Sequence, residues 1–175
     1  MQLPNLITRL GLDSRLRWEN VKRYALQCSL AAAVVLIPLL VLDAVTQTVL
    51  IAALGASTFI AFAVPRSLHS SARCLIGGYL VGIFAGSLMS TLNSTFDFSD
   101  IVIAHTSMVV CGALATGLAM FLMVVTKTEH PPAAALALGL VLNEWNLLTL
   151  AVVIAGVVTL SICKQLVLPI LMDLL

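Results

Sequence analysis

Thr128-Glu129-His130-Pro131-Pro132 is where this chain gathers ionisable side chains and a proline pair directly ahead of a strong helix former, Ala133-Ala134-Ala135-Leu136. The first turn of a helix tolerates proline, because its leading N–H groups have no intrahelical partner in any case. The order of residues therefore predicts a helix that starts at Pro131, with His130 just outside it. The free N–H groups expected at Ala133 and Ala134, together with the positive end of the helix dipole, make an anion site beside His130. The imidazole of His130 can donate to such an anion or take up a proton near neutral pH. The competing reading is a histidine that caps the preceding helix and fixes the loop.

A second irregularity, Leu54-Gly55-Ala56-Ser57-Thr58, interrupts an apolar run that ends at Pro65. It is expected to face the His130 junction. Gly55 and Ala56 would let a backbone or ligand come close, while Ser57 and Thr58 supply hydroxyl donors. The alternative is that both hydroxyls bond back to carbonyls of their own helix. Arg66, Arg73 and Lys127 are placed at the mouth of the site as a basic vestibule that draws anions in. Anchoring on the cytoplasmic side explains Arg66 and Arg73 nearly as well. Glu129 is an awkward neighbour for an anion and is expected to pair with Lys127, Arg66 or Arg73 at the cytoplasmic edge, the alternative being that it carries a coupling proton. His105, beside Thr106 and Ser107, reads as interfacial, and Asp43, Asp97, Asp100 and Glu144 read as solvated turn residues at the outer edge. No serine, cysteine or threonine has a recognisable catalytic partner, and the histidines lack the spacing of a metal cluster. Neither an enzyme nor a metal or cofactor is expected.

The elements that must hold these residues are membrane helices. Of 175 residues, 61% are apolar and only 10% charged, and the mean hydropathy of +1.10 is far from the balance of a soluble domain. Uncharged apolar runs such as 24–42, 75–92, 101–126 and 147–163 are about the length needed to cross ~30 Å of hydrocarbon. Their continuity argues for helices over the alternating strands of a barrel. The apolar segments fall in the order long (24–42), shorter (48–64), long (74–92), then long (101–126), short (131–142), long (147–171). The expectation is an all-α integral membrane domain over 24–175, with four long transmembrane helices and two short or broken ones. Two three-segment repeats, about 24–92 and 101–172, would then be inverted relative to each other, as in many transporters.

Lys and Arg alternate between the connections: five in residues 1–23, none in 43–48, Arg66 and Arg73 in the next, none in 93–100, then Lys127, and Lys164 before the C-terminus. Positive charge marks the cytoplasm, which puts both termini there. Residues 1–23 contain Asp13 and Glu19 among the basic residues and are not followed by a short apolar core with a cleavage site, so they do not read as a signal peptide. The spacing of Leu3, Leu6, Ile7 and Leu10 suits an amphipathic helix lying on the membrane face. Gly78, Gly82 and Gly86 form one flat helix face for tight packing, against a neighbouring helix or another subunit. Cys28, Cys74, Cys111 and Cys163 are scattered singly and read as small packed hydrophobes. No basic stretch carries the interleaved aromatics that would grip nucleic acid.

The stretch Thr126-Lys127-Thr128-Glu129-His130-Pro131-Pro132-Ala133-Ala134-Ala135 resembles the signature of the HPP family of small integral membrane proteins. Gly55-Ala56-Ser57, the Pro65 loop, Arg73 and Gly77-Gly78 are similar to that family's first half, so the likeness covers most of residues 24–172. The family is usually described with four spans, which agrees with six segments if those around Gly55 and after Pro132 are short or broken. The resemblance implies transport, with nitrite the substrate associated with plastid and cyanobacterial members. It carries His130, Pro131 and Pro132 over as the motif, with Gly55, Ala56 and Ser57 opposite. Ala133-Ala134-Ala135 stand where a glycine often interrupts the family's small-residue run. The expectation is therefore a nitrite or similar small-anion transporter in a bacterial inner membrane, a homodimer or other homo-oligomer, with the anion near the midplane. The contrasting expectation is a non-transporting scaffold or subunit in which the His-Pro-Pro turn is structural.

Overall fold

The computed structural model describes residues 18–41, 48–95 and 101–174. Six α-helices carry them: α1 (Trp18–Val41), α2 (Thr48–Ala63), α3 (Ala72–Thr95), α4 (Ile101–Thr126), α5 (Pro131–Leu142) and α6 (Leu147–Val167), with a 3-10 turn at Leu68–Ser70. Among the described residues α3, α4 and α6 are long and apolar enough to cross a membrane. Helix α1 has 24 residues but begins at Trp18, so the charged Glu19, Lys22 and Arg23 lie in its first two turns rather than in a separate segment ending at residue 23. The Leu3 to Leu10 segment, Asp43, Asp97 and Asp100 fall outside the described residues.

Helix ends follow local chemistry. Asn146 opens α6 as a capping box, its side chain accepting from Thr149 N at 2.8 Å while the Thr149 hydroxyl accepts from Asn146 N at 3.4 Å, which satisfies donors that have no intrahelical partner. At the end of α4, Lys127 takes the left-handed conformation with φ 55°. Thr128 N then reaches back to Met123 O at 2.9 Å and Lys127 N to Val124 O at 3.2 Å, the paired bonds of a Schellman motif. That turn hands the chain directly to the His130 junction.

Helix α5 occupies the middle of the bundle, against α2, α3 and α4. Its 12 residues rise about 18 Å at ~1.5 Å each, too little to cross alone. Buried residues lie on most of its circumference, including Ala133, Ala134, Leu136, Ala137, Leu140 and Val141. Helix α3 approaches it through a glycine face. A Cβ at Gly78 would lie 2.7 Å from His130 Cβ, one at Gly82 would overlap the Ala133 carbonyl oxygen, and one at Gly86 would lie 2.7 Å from Ala137 O. The glycine face therefore packs within the chain, on α5, and not between subunits. Small residues permit this backbone approach where no hydrophobic force drives helices together in lipid.

The contacts also fix direction. Gly78 and Gly86 of α3 meet the start and middle of α5, so these helices run parallel, whereas Val49 and Leu50 at the start of α2 meet Gly139 near the end of α5 and Ser57 meets His130, so α2 and α5 are antiparallel. Gln27 of α1 donates to Met172 O at 2.9 Å and to Phe62 O, and accepts from Met172 N at 3.3 Å. The described chain thus begins and ends at the same end of the bundle, the end that also carries Arg66, Arg73, Lys127 and Lys164.

Candidate functional site

Ser57 lies in the second half of α2, on the face turned toward α5. Helix α2 is continuous through it: Ser57 donates to Ala53 O and Thr58 to Leu54 O, both at 2.9 Å. The expected break at Leu54-Gly55-Ala56-Ser57-Thr58 is absent, because hydroxyls that bond back four residues are compatible with an unbroken helix. A Cβ on Gly55 would meet nothing within 4 Å, and Ala56 is exposed. Neither shapes a site at His130, and Thr58 is occupied within its own helix. Of this tetrad only Ser57 reaches the His-Pro-Pro junction.

There it becomes the hub of a buried polar cluster. Ser57 Oγ is 2.8 Å from His130 Nε2 and 2.8 Å from Tyr79 Oη. Ser57 and Tyr79 have no exposed surface, and His130 retains 1%. The Tyr79 and His130 rings are tilted at 39° with centroids 5.8 Å apart. Tyr79 lies seven residues into α3, so the cluster is about 10 Å inside the start of that helix at ~1.5 Å per residue. Burying hydroxyls and an imidazole among apolar helices costs several kcal/mol unless they find partners, and here they find one another.

The other imidazole nitrogen fixes the tautomer. His130 Nδ1 lies 3.0 Å from the carbonyl oxygen of His69; a carbonyl only accepts, so Nδ1 carries the hydrogen and Nε2 faces Ser57. His69 in turn donates from its own Nδ1 to Glu129 O at 2.9 Å. Each histidine therefore grips the backbone of the other's segment, closing the 3-10 turn onto the His-Pro-Pro loop. Arg73 adds a third tie, from its guanidinium to Thr126 O at 2.8 Å, placing a cation on the last carbonyls of α4, where the helix dipole favours it. Lys164 of α6, itself buried, adds a fourth by donating to Ser70 O at 2.9 Å and to Ser70 Oγ at 3.2 Å.

The start of α5 differs from expectation in its donors. Pro131 and Pro132 have no N–H, and Ala133 N is bonded to His130 O at 2.9 Å. The first three positions of the helix therefore offer no free backbone hydrogen to a ligand. Ala133 and Ala134 are buried by packing. The side chains of Ser57, Tyr79 and His130 bring further hydrogen-bonding groups to this junction.

The three basic residues expected in a vestibule serve different purposes. Arg66 pairs with Asp173 at 4.0 Å, both side chains being substantially exposed, an arrangement worth little in water. Arg73 holds the end of α4, and Lys127 supplies its left-handed turn. Among the described residues Glu129 has no salt bridge to Lys127, Arg66 or Arg73, so the expected pairing is not made. Beside the cluster, a cavity of about 340 Å³ lies between α4 and the start of α5, lined by Met120, Met123, Val124, Pro131 and Ala134 with His130 and Glu129 at its edge. His130 thus borders this apolar space as well as the buried hydroxyls.

Sequence reasoning missed Tyr79, Gln27 and the bonding roles of His69 and Lys164. Polar atoms inside apolar helices were the available signal, most plainly Gln27 and the Tyr79 hydroxyl, which must find partners once buried.

No curated protein and no solved structure matches the chain. The family model described as "HPP, transmembrane region" matches residues 17–172, nearly the whole chain, and takes in the Ser57 helix, the glycine face and the His130 junction. The protein is a member of this HPP family of membrane proteins.

Proposed function

We propose that the protein moves a small inorganic anion, nitrite first, across a membrane, with Tyr79, Ser57 and His130 as the groups that meet it. The observation that carries this reading is the polar cluster itself. Ionisable and hydroxyl groups buried between membrane helices are expensive, and by default they mark a pathway or binding site. Two hydroxyls and an imidazole nitrogen converge on one point, where a compact anion would accept from both hydroxyls, and from the imidazole once its Nε2 is protonated. They now satisfy one another, so an anion must part α2 from the start of α5 to reach them. The apolar cavity bordering His130 offers space for that movement.

Antiparallel α2 and α5, each the middle member of a long-short-long triplet, support two inverted repeats, the arrangement in which short helices meet at a central site. The shared end of Arg66, Arg73, Lys127 and Lys164 supports a cytoplasmic placement of both termini in an inner membrane. A chain this small is expected to work as a homo-oligomer.

Nitrite flux into proteoliposomes tests the proposal. His130→Ala combined with Ser57→Ala should abolish protein-dependent flux, while Thr58→Ala, whose hydroxyl bonds only its own helix, should retain it. Unchanged flux in the double variant would remove the site assignment. No flux of nitrite, nitrate, formate or chloride through the wild type would remove transport altogether. The second reading, a structural scaffold, would then stand on the closed hydrogen bonding of the cluster.

A further inference from the structure

Ser57 has one hydrogen and three neighbours that compete for it or supply their own. Ala53 O can only accept, Tyr79 Oη can donate, and His130 Nε2 does either according to protonation. With His130 neutral, its hydrogen is on Nδ1, facing His69 O, so Nε2 and Ala53 O both require the single Ser57 hydrogen. One of those contacts is then left without a proton. With His130 doubly protonated, Nε2–H donates to Ser57, Ser57 donates to Ala53 O, and Tyr79 donates to Ser57. Every contact carries a hydrogen, and the serine accepts two and gives one.

The protonated state lacks a counter-charge. The groups that face His130 are Ser57 from α2, Tyr79 from α3 and His69 from the 3-10 turn, and its chain neighbour Glu129 lines the same cavity. Among the described residues the ion pair is Arg66–Asp173, so no carboxylate is paired with the imidazole. A buried cation with no partner is strongly disfavoured. A monovalent anion beside the Ser57, Tyr79 and His130 cluster supplies the missing charge, and the proton on Nε2 supplies the missing donor.

We infer that the site takes up one proton and one monovalent anion together, His130 carrying the proton on Nε2, so that each transport cycle moves no net charge. The inference rests on the transport reading above and adds its coupling. The proton comes from water on the loading side and leaves with the anion on the other, returning His130 to its neutral Nδ1–H form. No bond other than the N–H is made or broken.

The experiment follows initial nitrite uptake by wild-type protein in liposomes, net of protein-free liposomes, under two separate driving forces. A pH gradient of one unit, outside acid and with membrane potential clamped to zero, should drive about tenfold accumulation, with one proton entering per anion as read by a trapped pH dye. A tenfold potassium gradient with valinomycin, inside positive and with pH equal on both sides, should leave uptake unchanged. His130→Gln, which keeps hydrogen bonding but cannot carry the proton, should lose the response to the pH gradient. Uptake driven by potential and indifferent to pH would overturn the coupling while leaving anion transport in place. Absence of protein-dependent uptake under either force would overturn transport and the coupling with it.

Discussion

Gly78→Ala is the smallest change that should reach the cluster. A methyl at this position would lie 2.7 Å from His130 Cβ and 3.0 Å from Thr128 O, where carbon contacts normally settle at about 3.5–4.0 Å. One neighbour is backbone and the other is a side-chain carbon fixed to backbone, so the His130 segment must retreat by about 1 Å. The 2.8 Å bond from Ser57 to Nε2 would then stretch past the useful range of roughly 3.2 Å. Overpacking costs about 1–3 kcal/mol, and the lost hydrogen bond about 1 kcal/mol more. Gly55→Ala and Gly117→Ala supply the internal control, since a Cβ at either position meets nothing within 4 Å; replacing a helical glycine there should gain up to about 1 kcal/mol. Thermal unfolding in detergent and nitrite flux should both separate Gly78→Ala from the two controls. If all three variants are equally stable and equally active, the close approach of α3 to the His130 loop is wrong.

Three other perturbations probe independent parts of the structure. Lys127→Gly removes the Cβ from a left-handed residue and should stabilise the protein by about 1 kcal/mol, read as a raised melting temperature. Ser57→Ala leaves His130 Nε2 and the Tyr79 hydroxyl without their shared partner and should cost about 1–3 kcal/mol in denaturant unfolding. Arg66→Ala breaks an exposed pair with Asp173 and should change stability by less than about 0.5 kcal/mol; a larger loss would mean that the C-terminal tail depends on that contact.

Length and charge made the helices legible. The proline pair opens α5 at Pro131, and the apolar runs at 48–64, 101–126 and 131–142 correspond to α2, α4 and α5 within a residue. The pairing of Ser57 with His130 was also foreseeable, from a hydroxyl and an imidazole inside apolar segments of opposite halves. The break at Gly55 was misjudged because a glycine beside two hydroxyl residues reads as an interruption, yet back-bonding lets them continue a helix. The anion cradle expected at Ala133 and Ala134 loses its Ala133 donor for a related reason. Prolines mark a helix start, but they also remove the donors that would make it a cradle, and Ala133 N turns back to His130 O. Tyr79 and the bonding role of His69 escaped notice because their significance is tertiary. Their partners lie 22 and about 60 residues away along the chain, and no local spacing encodes that distance.

The amide of Gln27 has a consequence for how the protein is made. Its donor to Met172 O bridges 145 residues, so when α1 is first inserted the carbonyl and N–H of Met172 have not yet been synthesised. During that interval the Gln27 amide can reach Phe62 O but not Met172, and α1 can only be provisionally seated. Synthesis of the segment that carries Met172, rather than insertion of the first span, is then the event that locks α1 into the bundle. A translation arrest or truncation ahead of Met172 would leave a chain with its helices inserted but α1 still susceptible to membrane quality control.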